Sequence, residues 1–520
     1  MKNLILVLIL FLSILAGSIF LYYDNLQTIE NSNKKLVRIP QNAFLVYNTS
    51  NAIEQLSRFE KSIFYSRITN EINSIQLRYK YFTDCIKHIA KNKHDLPLTL
   101  SVHLMPNKNC GCIIYLNKEN EGTKKIIKKT LSDVKNYNRT TKDYLGHKIV
   151  VINAKDETNC IYCLEHNQQL IITFSYDLMC LFISEIINGM QKSSIADEWN
   201  LENQSNVWIN TAVFYEALSS LTGIAINDQL KNKISYFCQF LNLNVRIMNE
   251  SIVCSGFGST SINSSKTYFI DVYKGQNPKS ITILPYIPKD TIMIQWFGFN
   301  DTEKLFELLR QHRNATDNFE NSNHKLLFPT LNSLMPGEIF LNEFDSLEDC
   351  KRPQIMLIKT TDSDFFIKTL CHYNILSQQL TAESRSLEYF EVQENFFKSY
   401  ICNISPEFDV KFIAKIDKCI ILANDTKSLF HWYDSYSKDE VWSESIDSTN
   451  WINNTSDQAN FNLFIDCSKY IPSLTDCSEG NFKELIEKNA DLLKSLRIRL
   501  QLINQQNEYS YITISINYKT

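Results

Sequence analysis

The sequence predicts an α+β chain: an N-terminal transmembrane helix, then two tandem homologous domains with largely antiparallel sheets and packed helices. Three observations carry this expectation. An uncharged apolar run fills Leu4–Tyr23. Short motifs from the first half recur about 250 residues later. Alternating apolar segments follow one another as hairpin-like pairs, without the strict strand–helix–strand order of a parallel sheet.

The apolar run has Lys2 before it and Asp24 after it. About 20 apolar residues suffice to cross a bilayer core as a helix. The charge order then favours a short cytoplasmic tail and a body on the far side. A cleaved signal peptide is the alternative, with Ala16-Gly17-Ser18 as its cleavage site. On this reading residues 1–24 are a signal-anchor and 25–38 a polar tether.

The repeat begins with Ile39-Pro40-Gln41-Asn42, which opens an apolar stretch over 43–47; Ile287-Pro288-Lys289-Asp290 opens another over 291–296. Helical stretches follow each, over 53–59 and 303–309. Leu170-Ile171-Ile172 before Asp177 matches Cys419-Ile420-Ile421 before Asp425. Trp199 matches Trp451, and Val245-Arg246-Ile247 matches Leu500-Gln501-Leu502. The offsets drift upward from 248 to 255, as small insertions in a duplicated domain would make them. The expected domains are 39–265 and 287–520, joined by a linker strand over 266–286.

Period-two alternation predicts strands over 98–104, 148–152, 169–174 and 242–247. A further strand-like run covers 267–273. Helical spacing marks 124–134 and 177–190, with Asp177 placed to cap the second.

Composition excludes several functions. Net charge is −4, so nothing marks a nucleic-acid surface. Twelve glycines and eleven prolines argue against Gly-rich phosphate loops and Pro-rich linkers. There is no His-Glu-x-x-His helix, Gly-x-Ser-x-Gly elbow, Walker loop or complete Gly-x-Gly-x-x-Gly. Gly256-Phe257-Gly258 reads as a closely packed strand end. His88 and His94 read as a solvated face, and Lys124-Lys125-Ile126-Ile127-Lys128-Lys129 as a surface helix. His372 follows Cys371 without a residue placed to complete a nucleophilic site.

Fourteen cysteines fall short of a disulfide scaffold. Cys110, Cys112, Cys160 and Cys163 have spacings that would suit a four-thiolate zinc site. Because Cys160-Ile161-Tyr162-Cys163 lies in an alternating, strand-like stretch, buried thiols or disulfides outrank metal. No cofactor is expected, and no catalytic residue can be named.

The Ile-Pro-x-Asn/Asp openings, Ser255-Gly256-Phe257-Gly258-Ser259, and Tyr273-Lys274-Gly275-Gln276-Asn277-Pro278 leading to Ile287-Pro288 resemble a family of membrane-anchored extracytoplasmic proteins of the Bacteroidota. That family is a domain of unknown function, so the resemblance implies a place in the envelope and no reaction. The resemblance implies that longer members continue into a β-propeller-like region, a module then expected to be missing here.

Together these readings predict a membrane-anchored, periplasm-facing module, partnered with the membrane through residues 4–23. It would bind or scaffold another envelope protein, or take a ligand in a cleft between the repeats. The rival expectation is a divergent envelope hydrolase whose site is assembled from sequence-distant residues.

Overall fold

The computed structural model describes residues 39–40, 42–65, 98–106, 110–117, 138–153, 160–167, 169–187, 205–222, 236–260, 267–313, 322–344, 353–382, 385–393, 396–400, 408–442, 456–476, 483, 486–487, 490–505 and 509–519. The chain separates into two compact units. One holds the described residues up to Gly256, except Tyr236–Cys238; the other holds Tyr236–Cys238 and Phe257 onward.

The N-terminal unit contributes β1 (Ala43–Thr49), β2 (Leu98–Leu104), β3 (Cys110–Asn117), β4 (Asn138–Tyr144), β5 (His147–Asn153), β6 (Cys160–His166), β7 (Gln169–Thr173), β8 (Asn206–Asn210), β9 (Phe240–Ile247) and β10 (Ser251–Ser259), whose last three residues cross the boundary. Its helices are α1 (Ala52–Glu60), α2 (Tyr176–Phe182) and α3 (Thr211–Thr222). The strands lie in the order β4-β5-β6-β7-β3-β2-β1-β8-β9-β10. Every registered pair in it is antiparallel.

The C-terminal unit contributes β11 (Thr291–Gly298), β12 (Glu338–Phe344), β13 (Gln354–Lys359), β14 (Leu376–Ala382), β15 (Leu387–Val392), β16 (Phe412–Ile416), β17 (Cys419–Ala423), β18 (Phe461–Asp466), β19 (Leu496–Gln505) and β20 (Tyr509–Tyr518). Its main helices are α4 (Thr302–Arg313), α5 (Ser322–Ser333), α6 (Ser363–His372), α7 (Thr426–Ser437) and α8 (Cys467–Asp476). The order is β14-β15-β16-β17-β13-β12-β11-β18-β19-β20, again antiparallel. Each strand therefore occupies the place of the strand ten numbers below it. Even an irregularity recurs: the register slips between Ala43 and Leu45, and again between Thr291 and Met293.

Two cores hold these sheets. In the N-terminal unit Val46, Ile113, Tyr115, Ile171 and Trp208 pack under Leu178, Met179 and Phe182 of α2. In the C-terminal unit Ile294, Trp296, Phe340, Leu357 and Ile421 pack under Leu429 and Trp432 of α7. Burying side chains of this size contributes about 1.5–3 kcal/mol each. The indole N–H of Trp432 is satisfied by the Tyr286 carbonyl at 2.8 Å.

Several expectations are corrected. Among the described residues antiparallel sheet dominates, with 46% strand against 31% helix, so the helices are layers on sheets rather than equal partners. No helix among the described residues is long and apolar enough to cross a membrane. The span expected over 4–23 lies outside the described residues, as do the tether, His88, His94 and the 124–134 helix. The strand-like run over 267–273 is instead a 3-10 turn, Phe269–Tyr273, because the Asp271 carboxylate accepts from the Tyr268 N–H at 2.9 Å and curls the backbone. The remainder of the expected linker strand is a two-residue pairing, Lys279–Ser280, and a second 3-10 turn, Leu284–Tyr286. Asp177 does not cap its helix: Ser175 does, accepting from Leu178 N–H at 3.3 Å, and Asp177 sits in the first turn. In the C-terminal unit the cap is the aspartate, Asp425, which accepts from Ser428 N–H at 2.7 Å.

Candidate functional site

The polar residues that converge are not those the motif search singled out. In the N-terminal unit, Ser101 and His103 are two residues apart on β2, so both side chains leave the same face. Neighbouring β3 supplies Tyr115, and the turn into β1 supplies Asn42. His103 Nδ1 lies 2.7 Å from Asn42 Oδ1, His103 Nε2 lies 2.6 Å from Ser101 Oγ, and Ser101 Oγ lies 3.2 Å from the Tyr115 hydroxyl. Asn42 Nδ2 donates to the Leu104 carbonyl at 3.1 Å, which fixes its Oδ1 as the atom facing the ring. An amide oxygen only accepts, so His103 carries its proton on Nδ1. Nε2 then accepts from Ser101, and Ser101 Oγ accepts from Tyr115.

The order Asn–His–Ser is that of a nucleophilic site. Its surroundings are not. Ser101 and His103 are 0% exposed. Burial lowers the His103 pKa to about 3, which makes the ring a weak base. Tyr115, its own pKa pushed up by burial, is placed to donate to the oxygen that would have to attack. The chain of hydrogen bonds satisfies polar groups inside a core.

The C-terminal unit pairs a histidine with the corresponding residue. Asp290 stands 248 positions after Asn42, at the same place before the first strand. His431 reaches it from α7, with Nε2 2.6 Å from Asp290 Oδ2. This pair is open: the side chains are 26% and 39% exposed. Donating to the Asp290 carboxylate raises the His431 pKa, against the opposing effect of partial burial. Phe344 presents its ring edge-on to the imidazole at 5.3 Å. One turn along α7, Asp434 takes a two-pronged ion pair from Arg385 at 2.7 and 2.9 Å, and Arg385 also covers the Phe430 ring. That pairing holds the Asp434 carboxyl below its usual range.

Two other arrangements in this unit are structural. Glu338, itself buried, accepts from Thr282 N–H at 2.7 Å and Trp296 Nε1 at 3.2 Å, and pairs with Lys359 at 3.3 Å. Trp432, Tyr436 and Tyr286 stack in sequence, and Tyr436 donates to Asp417 at 2.9 Å. Asn342 and Asn462 are buried, and among the described residues neither amide atom of either has a hydrogen-bond partner.

The cysteines singled out by spacing fall on two strands. Cys110 and Cys112 are on β3, Cys160 and Cys163 on β6, and β7 runs between them. One intervening strand separates the pairs by about 10 Å. Cys110 donates to the Ala217 carbonyl at 3.9 Å. Among the described residues no group of three or more His, Cys, Asp or Glu is placed to hold a metal. Gly256 lies in β10 where an added Cβ would meet the Asn242 carbonyl of β9, the close strand packing its sequence suggests. His372 ends α6 beside an exposed Cys371, its ring against Tyr373.

The one sequence signal available for the buried chain, passed over by the motif search, is Ser-x-His within an alternating strand, which puts two polar side chains on one face. Nothing local links Asp290 to His431, 141 residues away. No protein family, curated protein or solved structure matches this chain.

Proposed function

We propose that the chain is a non-catalytic binding module. The observation that carries this reading is an exposed aromatic cluster in the C-terminal unit. Phe257 and Tyr509 are 45% and 53% exposed, and the Phe257 ring meets those of Tyr509 and Tyr511 edge-on at 6.4 and 5.4 Å. Large aromatics held against one another at a surface bury apolar area on contact with little loss of side-chain freedom. The burial of Ser101 and His103 supports the same reading.

Asp290 and His431 favour a second reading, a hydrolase assembled from sequence-distant residues, because the pair is accessible and correctly polarised for proton transfer. One experiment separates the two. The whole chain, Ser101→Ala and His431→Gln are assayed against a panel of activated esters, amides and glycosides. The binder reading expects no turnover that depends on either residue. Turnover lost in His431→Gln and kept in Ser101→Ala supports the hydrolase instead.

A further inference from the structure

Strand β4 is built as few strands are. Arg139, Thr140, Thr141, Lys142 and Asp143 are all exposed, and of the two faces the one with Lys142 reaches over the Tyr176 ring at 4.7 Å. Among the described residues it pairs with β5 alone, in an unbroken seven-residue ladder from Asn138↔Asn153 to Tyr144↔His147. Among the described residues no strand pairs with its other edge, which leaves there the template on which a further strand adds. The turn that closes the hairpin holds Leu145 at φ 48° and Gly146 at φ 79°, with Leu145 55% exposed. A bulky apolar residue in left-handed conformation at a solvent-facing tip is uncommon.

The corresponding edge of the C-terminal unit is blunted. In β14 the register slips between Leu376 and Gln379, which interrupts the edge. Its hairpin is drawn back onto α7 by the Arg385–Asp434 ion pair. No such slip interrupts β4.

The charges on β4 choose the occupant. On one face stand Arg139, Thr141 and Asp143, two residues apart each. If β4 meets a second β4 antiparallel about Thr141, Arg139 of each copy lies opposite Asp143 of the other. Thr141 meets Thr141, and Thr140 meets Lys142. No like charges oppose one another. Shifting the pairing by two residues in either direction removes both Arg–Asp matches. The charges that would discourage a random strand therefore fit a second copy of this chain in one register.

We infer that β4 is a self-association edge, on which a second copy of this chain adds its own β4 antiparallel across a two-fold axis through Thr141. The inference stands on β4 and is independent of the aromatic cluster. The contact is small, below about 1,200 Å² in total, so the dimer is weak and concentration-dependent.

The test uses the whole 520-residue chain, dispersed in mild non-ionic detergent because residues 4–23 are uncharged and apolar. Native mass spectrometry over a concentration series should show a 60.6 kDa monomer giving way to a dimer. Arg139→Asp alone or Asp143→Arg alone places like charges opposite one another twice and should weaken the dimer about tenfold. The two substitutions in one chain should restore it, and so should mixing the two single variants. All the changed side chains are exposed, and circular dichroism confirms that each variant folds. Thr141→Cys should give a disulfide between copies, with a 141–141 peptide found by mass spectrometry. A monomer at every concentration overturns the inference. So does a dimer indifferent to the single reversals, or one whose cross-links fall outside β4.

Discussion

Two histidines meet equivalent positions in the two units and end in opposite electrostatic states. His103 comes from β2, meets Asn42 and is sealed in a core, where burial keeps it neutral. His431 comes from α7, meets Asp290 at the partly open end of a sheet, and is held toward its charged form. The residue that replaces His103 in the C-terminal unit is Phe344, since Ala43↔His103 and Thr291↔Phe344 are matching register pairs. The residue opposite Val46 in β2 is Ser101, and its counterpart opposite Ile294 in β12 is Asn342. One strand order thus supports a hydrogen-bonded polar chain in one unit and, among the described residues, an amide without a partner in the other. A shared backbone does not dictate the polar interior; the side chains it happens to align do.

The contrast predicts unequal costs. His103→Ala removes the centre of the buried chain, takes one partner each from Ser101 Oγ and Asn42 Oδ1 and leaves a cavity, at a cost of about 4 kcal/mol. His431→Ala breaks a partly exposed pair and costs about 1 kcal/mol. Urea denaturation, read by pulsed hydrogen exchange on peptides from each unit, measures both; equal costs would break the comparison.

Acid should separate the units next. The unfolded His103 ring titrates near 6.5 and the folded ring near 3, so below pH 6.5 the unfolded state binds the extra proton. The N-terminal unit then loses about 1.4 kcal/mol per pH unit. For His431 the sign reverses: its folded pKa lies above 6.5. Its contribution is therefore complete below that value and is lost as pH rises through the raised pKa. Urea midpoints between pH 4.5 and 8 should fall on the acid side for peptides of β2 and β3, and that slope should flatten in His103→Phe. The alkaline-side loss near α7 should vanish in Asp290→Asn.

Smaller effects sharpen the same contrast. Asn342→Leu removes a buried amide without partners and should stabilise the C-terminal unit by about 1–2 kcal/mol, whereas Ser101→Leu should destabilise the N-terminal unit. Thermal unfolding followed by calorimetry reads both directions. Least of all, Arg385→Ala should cost under about 1 kcal/mol, because the Arg385–Asp434 pair is about one-third exposed on each side. Its visible effect should be faster exchange of the β14–β15 amides.

Much of the strand layout was legible in the residues. The alternation in Leu98–Leu104, Gln169–Thr173 and Phe240–Ile247 needs only period two, and those strands stand close to where it puts them. The 267–273 run failed because its apolar residues fit a 3-10 turn as well as a strand, and a single carboxylate, Asp271, settled the choice through a hydrogen bond. The cysteine spacings carry no long-range information: Cys110 and Cys112 fall on β3 and Cys160 and Cys163 on β6, with β7 between them. The sites found instead join β2 to the turn before β1, and α7 to the turn before β11. Such contacts span 61 and 141 residues, and no local pattern records them.

Alternation, turn residues and helix caps are short-range, so the sequence alone determined where strands run and which faces are apolar. The recurrence of Ile-Pro-x-Asn and Ile-Pro-x-Asp marked the two equivalent entries to a sheet. Which histidine reached each entry, whether it stayed neutral or charged, and which sheet edge was left open depended on register and burial. Those are properties of strands brought together from far along the chain, and only the tertiary structure decided them.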